Sequence, residues 1–192
     1  MTRRLACCGL ALSLLVSGVA ARRQGAGEAA APAPEDPARV TIRDVRPVPE
    51  AQGALVVLET TKKDRLLLVV IGQPEALAIL SQLGGAAAPP RPMTHDLLKN
   101  VIAQLGATLD RIVVTRFQDG TFYAELVLRR GDAILRVDAR PSDAMALAQR
   151  AGASIFVARQ VLDEAGTRPD ELREREAPAP PRRPPIDPNR AI

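Results

Sequence analysis

A repeated unit narrows the fold more than any other feature of this chain. Apolar, β-branched runs at residues 54–59 and 65–71 flank the polar turn Thr61-Lys62-Lys63-Asp64. A helix is predicted directly after them, over 74–83, with Gly84-Gly85 stopping it. A second unit follows the same plan. Its runs at 121–129 and 133–137 flank Gly131-Asp132, and a helix over 141–150 follows, with Pro141 in its first turn and Gly152 after it. Glu75-Ala76-Leu77-Ala78-Ile79 matches Asp143-Ala144-Met145-Ala146-Leu147 at an offset of 68, and the same offset carries Gly84 to Gly152. These signals predict an α+β fold: a compact two-layer domain built from a duplicated β-hairpin–helix motif, with a mostly antiparallel sheet.

Other elements fill in around the two units. Period-two alternation at 40–45 reads as a strand. Thr94 is a suitable N-cap for a helix over 95–105, which Gly106 ends. A strand over 109–117 meets the one at 121–129 across Gln118-Asp119-Gly120, a hairpin signature. A short strand at 154–158 and a helix at 159–165 complete the domain, placed at residues 39–166. On the N-terminal side, Arg3 and Arg4 precede the uncharged run LACCGLALSLLVSGVAA, so residues 1–21 are expected to be a signal peptide. Export to the periplasm or the medium follows, with an uncleaved N-terminal anchor as the lesser alternative. No other membrane contact is implied. Residues 22–38 read as an Ala/Pro-rich linker. Residues 167–192 read as a Pro/Arg-rich disordered tail, in which 169–176 have the makings of a helical turn.

Composition closes several routes. Both cysteines, Cys7 and Cys8, fall in the leader, so a processed chain has no thiol for a disulfide, a thiolate metal site or a nucleophile. The only aromatic residues are Phe117, Phe122, Tyr123 and Phe156, too few for a long stacking platform on single-stranded nucleic acid. The domain has 16 basic and 14 acidic side chains, short of the basic stripe usual in duplex binders. Nothing calls for an organic cofactor.

The polar residues concentrate in four segments. They are Ile71-Gly72-Gln73-Pro74-Glu75-Ala76, RPMTHDLLKN at 91–100, Asp119-Gly120-Thr121-Phe122-Tyr123-Ala124, and DARPSDAMALA at 138–148. In this order and spacing they resemble the bifunctional nuclease family, over about residues 40–166. The resemblance implies a compact α+β domain on a duplicated motif, a homodimer, and cleavage of RNA or DNA. The export signal, the Pro-rich tail, Pro74 and Ser154 depart from the family pattern, but none of them removes an acid.

These residue types suit phosphodiester hydrolysis. It needs an activated water, a neutralised phosphate and a proton for the leaving oxygen. Glu75, His95, Asp96, Asp138 and Asp143 are the candidate catalytic residues. Glu75, Asp138 and Asp143 are the candidate ligands for Mg²⁺ or Mn²⁺, which take oxygen donors. Arg91, Lys99, Arg140 and Ser142 are candidate substrate contacts, the arginines as forks onto phosphate.

Each residue also has a plain structural reading. Glu75, Asp96 and Asp143 fall in first helical turns, where a carboxylate meets the positive end of the dipole. His95 fits a helix surface, Ser142 and Asp143 fit caps, and Lys99 fits a bridge to Asp96. Asp138 fits a loop-fixing pair with Arg140 or Arg91. Ser142 lacks the surroundings of a nucleophile. Phe122 and Tyr123 point to opposite faces of one strand, so one is expected in the core and the other outside. The leading functional reading, which rests chiefly on the family resemblance, is an exported, metal-dependent nuclease. Its alternatives are a non-catalytic binding or dimerisation module of the same fold, and a nucleotide-binding protein that uses Arg91 and Arg140.

Overall fold

The computed structural model of the chain describes residues 36–176, apart from 49, 51 and 85–89. The expected signal segment, most of the linker and residues 177–192 of the expected tail lie outside the described residues.

The chain begins with a three-strand meander, β1 (Ala38–Val48), β2 (Gly53–Thr60) and β3 (Leu66–Gly72), followed by helix α1 (Gln73–Leu80). Helix α2 (Thr94–Gln104) comes next. A second meander, β4 (Thr108–Gln118), β5 (Thr121–Arg130) and β6 (Ala133–Ala139), leads into α3 (Pro141–Ala151). The chain then forms β7 (Ser154–Val157), α4 (Arg159–Ala165), the two-residue β8 (Gly166–Thr167) and α5 (Pro169–Glu176). The strands make one sheet in the order β6-β5-β4-β7-β1-β2-β3-β8. All its pairings are antiparallel except β4 with β7. The α+β class and the mostly antiparallel sheet are as expected from the sequence. The strand order sets one meander and its helix on each side of β7.

Local chemistry explains the element ends. Asp119 and Gly120 have φ of 51° and 74°, so Gln118 and Thr121 face each other across a turn with two left-handed residues. Such a turn matches the strand twist, and Gly120 carries no Cβ to oppose it. Pro74 and Pro141 stand where a helix has backbone N–H groups with no partner inside the helix, so α1 and α3 lose nothing there. The cap of α2 differs from expectation: Met93 is its N-cap and Thr94 its first helical residue. The strand expected over 133–137 runs on to Ala139, so Asp138 lies within a strand and not at its end. The residues taken as the start of the tail are also structured. Thr167 pairs with Leu66, and α5 is a full element of eight residues.

Alternation decides what is buried. Val56, Leu58, Leu67, Val69, Ile71, Ile112, Val114, Leu126 and Leu128 share one face of the sheet and pack with Ala144, Met145, Leu147 and Ala148 of α3. The intervening Val57, Val113 and Val127 are buried on the other face. Phe122 joins the edge of the core and stacks on Phe117, with centroids 4.5 Å apart. Tyr123 is half-buried as well, beneath the Arg116 guanidinium at 3.9 Å. The expected contrast between the two rings is therefore weaker than alternation alone suggests.

The sheet also curls. β3 and β5 are five positions apart in the strand order, about 24 Å if the sheet were flat. Yet Val69–Gly72 and Gly120–Phe122 line one cleft. The same curl lets α4 touch both β3 and β4.

Arg150 locks the helical layer over this sheet. Its side chain is only 2% exposed. Nε donates to Asp96 Oδ1 at 2.7 Å, Nη1 to the carbonyls of Ala78 (2.8 Å) and Ala146 (3.0 Å), and Nη2 to Ser81 Oγ (3.2 Å). One buried guanidinium therefore joins the end of α1, the start of α2 and the last turn of α3. Removing one partner of such a buried pair costs about 3 kcal/mol. Arg150→Met is expected to lower the unfolding free energy from urea titration by that amount, whereas Arg159→Ala, which breaks the exposed bond to Asp36, leaves it unchanged.

Candidate functional site

Three helices begin alike. Glu75, Asp96 and Asp143 are each the third residue of their helix, after an extended N-cap at Gly72, Met93 and Arg140 respectively. A carboxylate there faces the positive end of the dipole. Asp96 Oδ2 also accepts the Met93 N–H at 2.9 Å, which closes the first turn of α2.

The three acids then divide between two arginines. Asp96 goes to Arg150, as above. Glu75 and Asp143 share Arg140: Nη2 donates to Glu75 Oε1 at 2.8 Å and Nε to Asp143 Oδ2 at 2.7 Å. The second carboxylate oxygen of Asp143, Oδ1, stands 3.1 Å from His95 Nε2. The result is a chain Glu75–Arg140–Asp143–His95 that joins the starts of α1, α3 and α2. Arg140 is 66% exposed, while the His95 side chain is 12% exposed. Gly72 makes room for the chain, because a Cβ at this position would lie 2.5 Å from Glu75 Oε2.

Electrostatics follow this wiring. Burial opposes ionisation of Asp143, but hydrogen bonds from Arg140 and His95 outweigh it and hold the carboxyl below its ordinary value of 3.8. At Asp96, too, burial works against the charge and is outweighed by the Met93 N–H and Arg150. The Arg140 guanidinium is held more firmly protonated by Asp143 first and Glu75 second.

The other expected site residues lie apart from this chain. Asp138 is exposed on β6, opposite Glu125 in the strand register, and pairs with neither Arg140 nor Arg91. Glu125, on the same side of the ribbon, is bound by Arg136. Arg91 is exposed and has no hydrogen bond or ion pair among the described residues. Lys99 does not bridge to Asp96. Its Nζ donates to the Arg150 carbonyl at 2.8 Å, since Asp96 is already taken by Arg150 from the neighbouring helix. Ser142 caps nothing: it is 8% exposed, lines the cleft between β3 and β5, and its hydroxyl has no partner among the described residues.

The expected metal ligands do not fit a divalent ion in this arrangement. Among the described residues no three His, Cys, Asp or Glu side chains are grouped to hold one. Glu75 and Asp143 converge on a guanidinium, and Asp138 does not join them. What the arrangement supports is an imidazole oriented by a carboxylate, next to an accessible guanidinium.

Sequence reasoning did not single out Arg150 or Gly72. A signal existed for Arg150: it lies four residues after Ala146 on the Ala-rich side of a helix expected to pack closely, where a cation requires partners.

The family model described as the bifunctional nuclease domain matches residues 56–170. The match starts inside β2, so it omits β1, although β1 pairs with both β2 and β7. Two proteins of Mycobacterium tuberculosis, one each from strains CDC 1551 and ATCC 25618 and both called uncharacterized, are 44% identical over 127 residues. The aligned stretch is 66% of this chain and 74% of each relative. Among the described residues no helix is long and apolar enough to cross a membrane.

Because Asp96 and Asp143 are held below 3.8, folding favours their charged forms. Their contribution is present above about pH 4 and is lost as pH falls through the lowered values. Asp143→Asn is expected to lower stability at pH 7 and to flatten its decline between about pH 5 and pH 2. Urea midpoints measured across that range check this, and parallel curves for the two proteins would contradict it.

Proposed function

The chain belongs to the bifunctional nuclease domain family, and on that premise we propose that it is an exported hydrolase of phosphodiester bonds in RNA, DNA or both. The observation that carries this reading is the Arg140–Asp143–His95 chain. When His95 is neutral and Nε2–H donates to Asp143, Nδ1 is the bare nitrogen, able to take a proton from an attacking hydroxyl or water. Asp143 fixes this tautomer and steadies the imidazolium that follows. Asp143 is thus a positioning residue, held in turn by Arg140. The exposed guanidinium of Arg140 uses two of its three nitrogens on carboxylates and keeps Nη1 for a phosphate oxygen. Glu75 holds Arg140 from the other side. No step here requires a metal ion.

The test is the purified full chain with RNA and DNA, in Mg²⁺, Mn²⁺ and chelator. Cleavage is expected to co-elute with the protein and to fall about 10²–10⁴-fold in His95→Gln at unchanged circular dichroism. Undiminished cleavage by this variant, or no cleavage by the wild type, overturns the reading.

One observation favours a second role beside it. Met93, Leu97, Val101 and Leu105 recur every four residues along α2 and its two caps, and Leu97 and Leu105 are 57% and 67% exposed. Such a stripe suits self-association in a homodimer. Light scattering is expected to give twice the chain mass, reduced to one chain in the Leu97→Glu, Leu105→Glu double variant. A monomeric wild type would remove this role.

A further inference from the structure

A guanidinium stands where the sequence led one to expect a divalent ion. Glu75 and Asp143 do come together, but on Arg140: its Nη2 lies 2.8 Å from Glu75 Oε1 and its Nε 2.7 Å from Asp143 Oδ2. The remaining oxygen of Asp143 stands 3.1 Å from His95 Nε2. Both oxygens of Asp143 are therefore engaged, one by a cation and one by an imidazole. A divalent ion placed between the two carboxylates would have to displace the Arg140 cation or sit against it. Asp138, on β6, joins neither acid.

This leaves a short inventory beside the phosphate. His95 offers Nδ1, which carries no hydrogen bond among the described residues. Arg140 offers Nη1. The site thus holds one proton acceptor and one cation, both positioned by the same carboxylate.

The two nucleic acids make different demands on such a pair. Water attacking DNA must give up a proton of pKa about 15.7, which metal-dependent enzymes lower to about 7. It must also be held in place as a separate molecule. RNA brings its own nucleophile, the 2′-hydroxyl next to the phosphorus. An attacking group built into the substrate acts at an effective concentration of about 10⁵–10⁸ M. A single base and a single cation suit the second case.

We propose that the substrate is RNA and that the chain cuts it through the 2′-hydroxyl. His95 Nδ1 takes the 2′-hydroxyl proton as O2′ bonds to phosphorus and the bond from phosphorus to O5′ breaks. The leaving O5′ takes a proton from water, and the hydroxide so formed recovers the proton from the imidazolium. Arg140 Nη1 bonds a non-bridging oxygen and offsets the charge that gathers there. The products are a 2′,3′-cyclic phosphate and a free 5′-hydroxyl, with no net consumption of water. This inference rests on the reading of His95 as the base of a nuclease and narrows the polymer from RNA or DNA to RNA.

Product chemistry tests it apart from that reading. The purified full chain is incubated in chelator or Mg²⁺ with an oligoribonucleotide, the same sequence as DNA, and the same RNA methylated at every 2′-oxygen. Mass spectrometry is expected to show ends one water lighter than a linear phosphate, in chelator as in Mg²⁺. Cleavage of the DNA and of the methylated RNA is expected to be at least about 10³-fold slower. DNA cut within about 10-fold of the RNA rate, ends bearing a 3′-hydroxyl or a 5′-phosphate, or activity lost in chelator each overturn the proposal. In those cases cleavage that still disappears in His95→Gln keeps the hydrolase reading. No cleavage of any polymer, or RNA cleavage undiminished in His95→Gln, overturns both.

Discussion

The helical layer depends on two arginines, one at each end of α3. Arg150 is buried and shares its donors among α1, α2 and α3, while Arg140 is exposed and bridges the first turns of α1 and α3. They do the same geometric job in opposite solvents. The buried one is fully committed to carbonyls, a hydroxyl and a carboxylate, so it cannot be withdrawn without leaving those groups unpaired. The exposed one is held by two carboxylates in contact with water, where ion pairs are weak and exchangeable. One end of α3 is thereby fixed, and the other retains a cation able to respond to a ligand.

The structural and chemical readings of the acids turn out to be compatible. Glu75, Asp96 and Asp143 occupy equivalent helix positions, so the dipole argument applies to all three alike. What separates them is the partner. Asp96 is absorbed into the buried arginine network. Asp143 has an oxygen left for His95, and Glu75 steadies the guanidinium that holds Asp143. The histidine is positioned by a carboxylate that the fold already had reason to keep.

Much of this was legible in the residues because it depends on neighbours in sequence. Asp119-Gly120 gave its turn, Gly152 its left-handed cap after α3, and the period-two runs their strands, each within a few residues. Glu75 and Asp143 stand at matching places in two helices that start alike in the sequence, and the structure joins them through Arg140. Other features depend on partners distant in the chain. Lys99 lost its expected neighbour because Arg150, 54 residues beyond Asp96, took that carboxylate. Asp138 stayed in a strand because β6 pairs with β5 as far as Ala139 opposite Ala124. The cleft itself arises from the curl of an eight-stranded sheet, which no local pattern encodes.

Strand β7 has a consequence for how the molecule assembles. Only four residues long, it lies between β4 and β1 and joins meanders that otherwise have no strand pairing in common. Its bond partners are distant, with Val40 in register with Ile155. During synthesis each meander and its helix can form as it emerges, but the seam between them waits for residue 157. Until then both halves present open edges, β1 and β4, that would accept any extended segment. A nascent chain is therefore most vulnerable to mispairing in the interval before its last few strands arrive, and that interval ends with one short insertion.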